Sequence, residues 1–321
     1  MGINRYNSYS EHLVKKFGHK VYKLPINLPG GCPNRDGLLG YGGCIFCDET
    51  GAGFDALPNS LSVSEQLEQN KEHFRRRFGA DKFIAYFQAF TNTYLPLSQF
   101  AANIAMAAET EDIVGISVST RPDCLNEQHL DILTEAARRC CLDIDIELGL
   151  QTVNYHTLKK INRGHTLAEF LDAVQRVHSR QFEICAHLIL NLPGDSKDDV
   201  IENAKIISAL GIRYVKLHSL YVAPGTVLGD MYQRGELHLG DWEEYVRSII
   251  SFLEYLDPAV VIQRLVGKGP REALFCNWGL SWWKVKTELE HLMEVEDTWQ
   301  GKKFNYLGGK LVDKAFNQGP R

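Results

Sequence analysis

No apolar run in the chain reaches eighteen residues, so no segment is long enough to cross a bilayer as a helix, and no membrane partner is expected. The opening MGINRYNSYSEHL lacks the apolar stretch of a secretory leader, which places the expected protein in the cytoplasm. Charge of one sign is also missing: 35 Lys and Arg against 40 Asp and Glu leave a net of −5. That balance demands no nucleic-acid partner, and it excludes none, because local patches matter more than the sum. Neither an internal repeat nor a low-complexity stretch breaks the sequence. What is present is ordinary for a globular enzyme, 44% hydrophobic and 23% charged over 321 residues, enough for one large β/α domain with a small appendage.

Short β-branched runs alternate with amphipathic segments along most of the chain. Strands are expected at 21–27, 83–88, 114–120, 143–151, 183–190 and 214–222, with a shorter one at 260–264. Helices are expected between them at 63–78, 97–109, 127–139, 167–180 and 197–210, the last capped by Asp195 or Ser196 and stopped at Gly211. This order implies right-handed βαβ units and a parallel sheet. Six units fit a partial (β/α)6 parallel barrel; a complete eight-stranded barrel and a doubly wound sheet carry the same local signature. The expected organisation is a helical extension at 1–20, the barrel core at 21–225, and a helical region at 226–321 that closes the barrel. Helices are expected there at 242–255 and 282–295, before a basic tail with Lys302, Lys303, Lys310, Lys314 and Arg321 against Asp313.

In parallel β/α folds the active site gathers beyond the carboxyl ends of the strands. The polar residues expected there are Gln88, Thr91 and Asn92, then Ser119 to Arg121, Glu147 and Gln151, His187, and Lys216 with His218. Strand interiors in a parallel sheet are normally apolar. The alternating polar positions from Asp145 to Gln151 therefore face either a polar site or a hydrogen-bonded network inside the barrel.

Eight cysteines would suit a disulfide framework in a secreted chain, but cytosolic thiols stay reduced and clustered ones bind metal or react. Cys124, Cys140, Cys141, Cys185 and Cys276 are scattered and read as small core residues. Cys32, Cys44 and Cys47 are clustered in a loop after the first expected strand, and Gly37, Gly40, Gly42 and Gly43 let that loop fold around a bulky inorganic group. Zinc needs four ligands, which His19 or Asp48 could complete; three thiolates on a [4Fe–4S] cluster leave one iron open.

Several words beside this loop resemble one family. CPNRDG and GGCIFC, with aromatic Phe46 before the last cysteine, are similar to the signature of radical S-adenosylmethionine (SAM) proteins in a wider spacing. With YFQAFTNTY, TRPDCL, ELGLQT, INRGHT, HLILNLPG and VKLHSLYV, the resemblance covers about residues 10 to 280 and points to the short, Elongator-like branch. It implies a [4Fe–4S] cluster on Cys32, Cys44 and Cys47 and SAM chelated at the open iron. One electron would cleave SAM to methionine and a 5′-deoxyadenosyl radical. It further implies SAM contacts from Phe46, Gln88, Thr91, Asn92, Ser119, Arg121, Glu147, Gln151, Arg163 and His187, with Lys216 and His218 for substrate contact or proton transfer. The GGE-like word of relatives is absent at Gln88–Asn92, and Ser119 stands where relatives often carry a glutamate.

The same branch implies tRNA wobble-uridine modification and an electron donor such as a reductase, flavodoxin or ferredoxin. Basic residues in His12–Lys23 and Arg75–Arg77, beside Tyr22, Phe74, Phe78, Trp282 and Trp283, suit phosphate contact and base stacking. Related barrels also act on small metabolites or tetrapyrroles. The sequence ends without an acetyltransferase domain and has no second cysteine cluster, so neither acetyl-CoA-dependent chemistry nor an auxiliary cluster is expected.

Overall fold

The computed structural model describes residues 4–48, 56–310 and Val312. Seven strands form one sheet in the order of the chain: β1 Val21–Ile26, β2 Lys82–Phe87, β3 Ile113–Thr120, β4 Asp143–Gln151, β5 Glu183–Ile189, β6 Tyr214–His218 and β7 Val261–Arg264. Every neighbouring pair is parallel. A doubly wound sheet would reverse its order at a switch point, and a closed barrel would pair its first and last strands. Neither is seen among the described residues, so the sheet is a curled partial barrel, with β7 added beyond six β/α units. The expected sixth strand ends early: pairing stops at His218, and Val222 instead bridges Phe275.

The helices are α1 Tyr9–Phe17, α2 Val63–Phe78, α3 Leu97–Ala108, α4 Glu127–Cys140, α5 Tyr155–Lys160, α6 Leu167–Ser179, α7 Lys197–Ala209, α8 Val227–Gln233, α9 Trp242–Tyr255 and α10 Trp282–Val295. Their starts follow local chemistry. Ser62, Thr166, Ser196 and Asp241 each close a capping box with the acidic residue three positions on. Of the two residues expected to cap α7, Ser196 does so. Gly18 and Gly79 end α1 and α2 in left-handed conformation, which glycine adopts without a Cβ penalty.

Register explains where the core sits. Along each strand one set of alternate residues faces the helices: Leu24, Ile26, Ala85, Phe87, Ile116, Val118, Ile146, Leu148, Ala186, Leu188, Val215 and Leu217, all buried in one apolar cluster. The other set faces the barrel lumen, and register aligns Tyr86 with Ser117, Ser117 with Asp145, Ser119 with Glu147, Glu147 with Cys185, and His187 with Lys216. Apolar burial against helices at about 25 cal/mol per Å² thus holds the sheet, while the lumen is left polar.

Helix α1 covers the amino-terminal end of the barrel. Tyr9, Leu13 and Phe17 pack on Val21, Ile84, Cys185, Tyr214 and Val261, and Ser8 bridges Ile262 beside β7. The remaining cavity there is about 20 Å³, room for roughly one water. At the same end, the chain after α10 docks on α9 through Gly301 N to Leu253 O, Lys303 N to Glu254 O, and Tyr306 Oη to Tyr255 O. Asp313, Lys314 and Arg321 lie outside the described residues. No described helix is long and apolar enough to cross a membrane.

Candidate active site

The three clustered cysteines sit beyond the carboxyl end of β1, on a loop stitched to its surroundings by main chain. Ile45 N donates to Ile161 O at 3.1 Å, Leu228 N to Ile45 O at 2.9 Å, and Thr91 N to Gly31 O at 3.4 Å. Phe46 is half-buried against the apolar cluster of Leu158, Ile161, Leu192 and Leu228. Gly37, Gly42 and Gly43 have φ of 97°, 77° and 81°, conformations that suit glycine, and a Cβ at Gly43 would stand 2.9 Å from Arg35 Cγ.

Polar side chains converge on the sulfurs. Arg163 Nη1 lies 3.6 Å from Cys44 Sγ, Asn34 Nδ2 3.9 Å from the same sulfur, and Arg35 Nη1 3.7 Å from Cys47 Sγ. Arg163 also donates from Nη2 to Gly149 O at 2.7 Å and from Nε to His165 Nε2 at 2.8 Å. Burial first, and then the Arg163 charge, push the His165 imidazole down to about 3, so it is neutral. Its Nε2 accepts from Arg163, and the assigned tautomer donates from Nδ1 to Thr166 O at 3.1 Å. Gly149 makes this possible, because a Cβ there would stand 2.7 Å from Arg163 Nη2.

The other residues expected to touch SAM fall on the same rim, several with donors already engaged. Arg121 grips Asp123 through Nε and Nη2 at 2.9 and 2.7 Å and donates from Nη1 to Arg163 O at 2.9 Å. Arg163, matched by resemblance to a SAM contact, gives its fork to Gly149, His165 and Cys44. Asn92 is 3% exposed and donates from Nδ2 to Phe87 O and Ser119 O, both at 3.0 Å, tying the β2 loop to β3. Its Oδ1 is buried without a partner, an acceptor left unsatisfied by the protein's own groups. Thr91 is buried, Gln88 N donates to Ile26 O at 3.1 Å, and Gln151 takes φ 77° at the end of β4, where the β4–β5 register shifts.

Below the rim, the lumen holds a buried charge network centred on Glu147. Its carboxylate accepts from Lys216 Nζ at 2.6 Å to both oxygens, from Lys23 Nζ at 2.6 Å, from His187 Nε2 at 2.7 Å and from Ser119 Oγ at 3.1 Å. Lys23 also reaches Asp145 at 3.2 Å and Ser117 at 2.8 Å. Tyr86 lies between the lysines, its hydroxyl accepting from Lys216 at 3.1 Å and the two ammoniums standing 4.2 and 5.1 Å from the ring centre. Burial opposes charge on Glu147, yet Lys216, Lys23 and His187 outweigh it and hold the carboxyl well below its usual range. Burial pushes Lys216 down to about 8 against the pull of Glu147, and His187 down to about 4. His218 is likewise kept neutral by burial, and its Nε2 has no partner. Its ring centre is 5.3 Å from that of His187.

Thus Ser119, Glu147, His187, Lys216 and His218 share the lumen, and the cysteines share the rim with Gln88, Thr91, Asn92, Arg121, Gln151 and Arg163. Lys23, Tyr86, Ser117 and His165 were not singled out by sequence. Lys23 is a correction: it belongs to the stretch read as a phosphate-contacting basic patch, and the structure buries it between two carboxylates. Tyr22 and Phe74 are corrected too, since with Phe78 they pack on one another at 5.0–5.6 Å rather than standing free for base stacking. Of the five cysteines read as small core residues, Cys185 is buried, on the lumen side beside Glu147 and His187, whereas Cys124, Cys140 and Cys276 are half-buried and Cys141 is exposed, which corrects that reading.

Glu147, Cys185 and His187 offer ligand atoms within 4.8 Å of one another, but two ammonium groups occupy the carboxylate that a cation would need. Tetrahedral zinc takes four ligands, and the loop supplies three thiols. His19 precedes β1 and lies at the opposite end of the sheet, so it supplies no fourth ligand. A three-thiol set on a glycine-rich loop, with N–H donors on two of its sulfurs, fits a polynuclear iron–sulfur group with one position open.

Comparison with known proteins agrees with this geometry. Residues 26–207 match the Radical SAM superfamily model and residues 212–295 the Radical_SAM C-terminal domain. The protein YtqA of Bacillus subtilis is 34% identical over 304 residues, 94% of each chain. A tRNA uridine(34) acetyltransferase of Methanocaldococcus jannaschii is 28% identical over 153 residues, 45% of this chain and 26% of that one. The solved structure of Elp3 from Methanocaldococcus infernus shares the fold with a TM-score of 0.66 at 17% identity, over 87% of this chain and 64% of that chain. A parallel partial barrel, a three-cysteine loop at its carboxyl rim and both family matches lead to one assignment: the chain belongs to the radical SAM superfamily.

Proposed function

We propose that the chain is a radical SAM enzyme that modifies the wobble uridine of tRNA. The observation that carries the cofactor reading is the three-cysteine loop on the rim above a polar lumen, with the orphaned Asn92 Oδ1 on the same rim. Cys32, Cys44 and Cys47 would hold a [4Fe–4S] cluster, which when bound supplies the electron that splits SAM into methionine and a 5′-deoxyadenosyl radical. The protein's own groups do the rest. Asn92 Oδ1 would accept from the SAM amino group. Glu147 fixes both lysines and His187, so the lumen presents a set charge pattern with little left to reorganise. Lys216, at about 8, can hold or release a proton at Nζ near neutral pH, and the neutral His218 offers Nε2 to a substrate hydrogen bond. A one-electron protein donor, a flavodoxin, a ferredoxin or their reductase, would reduce the centre.

Support for tRNA as substrate comes from the name of the partial relative and from the surface. Trp282 and Trp283 are 42% and 54% exposed, with Lys268 and Lys284 each 5.9 Å from one of the rings, a pairing suited to stacking and phosphate contact. The test is binding of unmodified tRNA at increasing salt. Three or four phosphate contacts predict roughly a tenfold or greater loss of affinity between about 50 and 200 mM salt. Affinity that is absent, or indifferent to salt, leaves a small metabolite or tetrapyrrole as the substrate.

A further inference from the structure

Two cysteine sulfurs carry N–H donors from fixed cations, and one of those cations is held from behind by a residue with no other evident task. Arg163 is 8% exposed, and its guanidinium is spanned by three partners: Gly149 O, His165 Nε2 and Cys44 Sγ. Asn34 adds a second donor to Cys44, and Arg35 places Nη1 on Cys47. Two glycines protect this arrangement, since a Cβ at Gly149 would meet Arg163 Nη2 and one at Gly164 would meet Asn34 Oδ1 at 2.8 Å. A donor set this rigid does more than fill space. A cationic N–H on a ligand thiolate withdraws electron density from the metal and favours the state with one more electron.

We infer that Arg163 is a positioning residue that sets the reduction potential of the metal centre through Cys44, with His165 and Gly149 holding its guanidinium in place. The inference rests on the radical SAM reading, because it requires a cluster on Cys32, Cys44 and Cys47. No other cation supplies a hydrogen bond to Cys44 among the described residues, so removing Arg163 takes from that sulfur its one charged donor. Asn162 offers the contrast: its Nδ2 holds the same loop through Gly43 O at 2.8 Å but touches no sulfur.

The experiment is a potentiometric titration followed by electron paramagnetic resonance, on anaerobically reconstituted full chain without SAM, with iron and sulfide counted per chain. Expected is a tenfold loss in the reduction equilibrium for Arg163→Met, a fall of about 59 mV for a one-electron couple. Arg163→Lys, which keeps the charge and gives up the fork, should fall by less, and Asn162→Ala should stay at the wild-type potential. If Arg163→Met does not retain iron, Arg163→Lys and His165→Gln decide the question, each expected below wild type. Equal potentials in wild type and in the Arg163 variants that keep their iron overturn the inference. So does an equal fall in Asn162→Ala, which would assign the effect to loop mobility. Failure of the wild type to assemble a cluster refutes the cofactor reading itself, before any variant is compared.

Discussion

Replacing Glu147 by Gln removes the one carboxylate shared by Lys23 and Lys216. Lys23 keeps Asp145 at 3.2 Å and Ser117 at 2.8 Å, while Lys216 keeps only the Tyr86 hydroxyl at 3.1 Å. Breaking a buried ion pair from one side costs about 3–5 kcal/mol. A stranded lysine can escape by losing its proton, and that route sets a ceiling. Lys216 already stands near 8 in the native chain, so its deprotonation at pH 7 spans about one unit and costs about 1.4 kcal/mol, falling to nothing above pH 8. Urea unfolding of Glu147→Gln should therefore show a loss of about 1.4 kcal/mol at pH 7 from stranding Lys216, shrinking toward zero at pH 9. The double variant Glu147→Gln/Lys216→Met should recover much of the difference, because no unpaired ammonium remains. A loss below about 1 kcal/mol at pH 7, or one equal at both pH values, would refute the view of the lumen as a closed charge network.

Lys216 has a folded value near 8 against 10.5 unfolded, so the unfolded chain binds the extra proton between those values and stability gains from this group as pH rises through that window. Lys216→Met should lack that rise, worth at most about 3.4 kcal/mol, and equal slopes in the two proteins would rule the shift out. Gly164→Ala forces a Cβ at φ 80° to within 2.8 Å of Asn34 Oδ1 and 3.2 Å of Arg121 Nη2. It should destabilise by about 1–3 kcal/mol and release iron faster to a chelator, whereas unchanged melting would show that the cradle tolerates a methyl. Ser196→Ala removes the α7 cap, whose Oγ accepts from Asp199 N at 3.3 Å, and should cost about 1 kcal/mol in thermal unfolding without altering iron content.

Much of the architecture could be read before the structure, for identifiable reasons. Helices α2, α9 and α10 span the residues that their helical patterning predicts. Strand β4 showed its lumen face in advance, because Asp145 and Glu147 interrupt an apolar run at period two. Lys23 was missed because its neighbours His12 to Lys20 are basic, and a lone lysine in a six-residue strand carries no mark of which face it occupies. The short α5 has six residues, too few for a periodic signal, yet its end positions Asn162, Arg163 and His165. The sulfur-directed fork of Arg163 and the tie from Asn162 to Gly43 depend on contacts between segments some 120 residues apart, which no local pattern encodes.

The account stands most directly on SAM cleavage. The protein is purified without oxygen, reconstituted with iron and sulfide, and given SAM and dithionite, and 5′-deoxyadenosine is measured beside a Cys32→Ala, Cys44→Ala, Cys47→Ala control. Formation by the native chain and its loss in the control are predicted. A native chain that binds zinc at one per chain and yields no 5′-deoxyadenosine would contradict the central claim and make the cysteine loop a structural metal site.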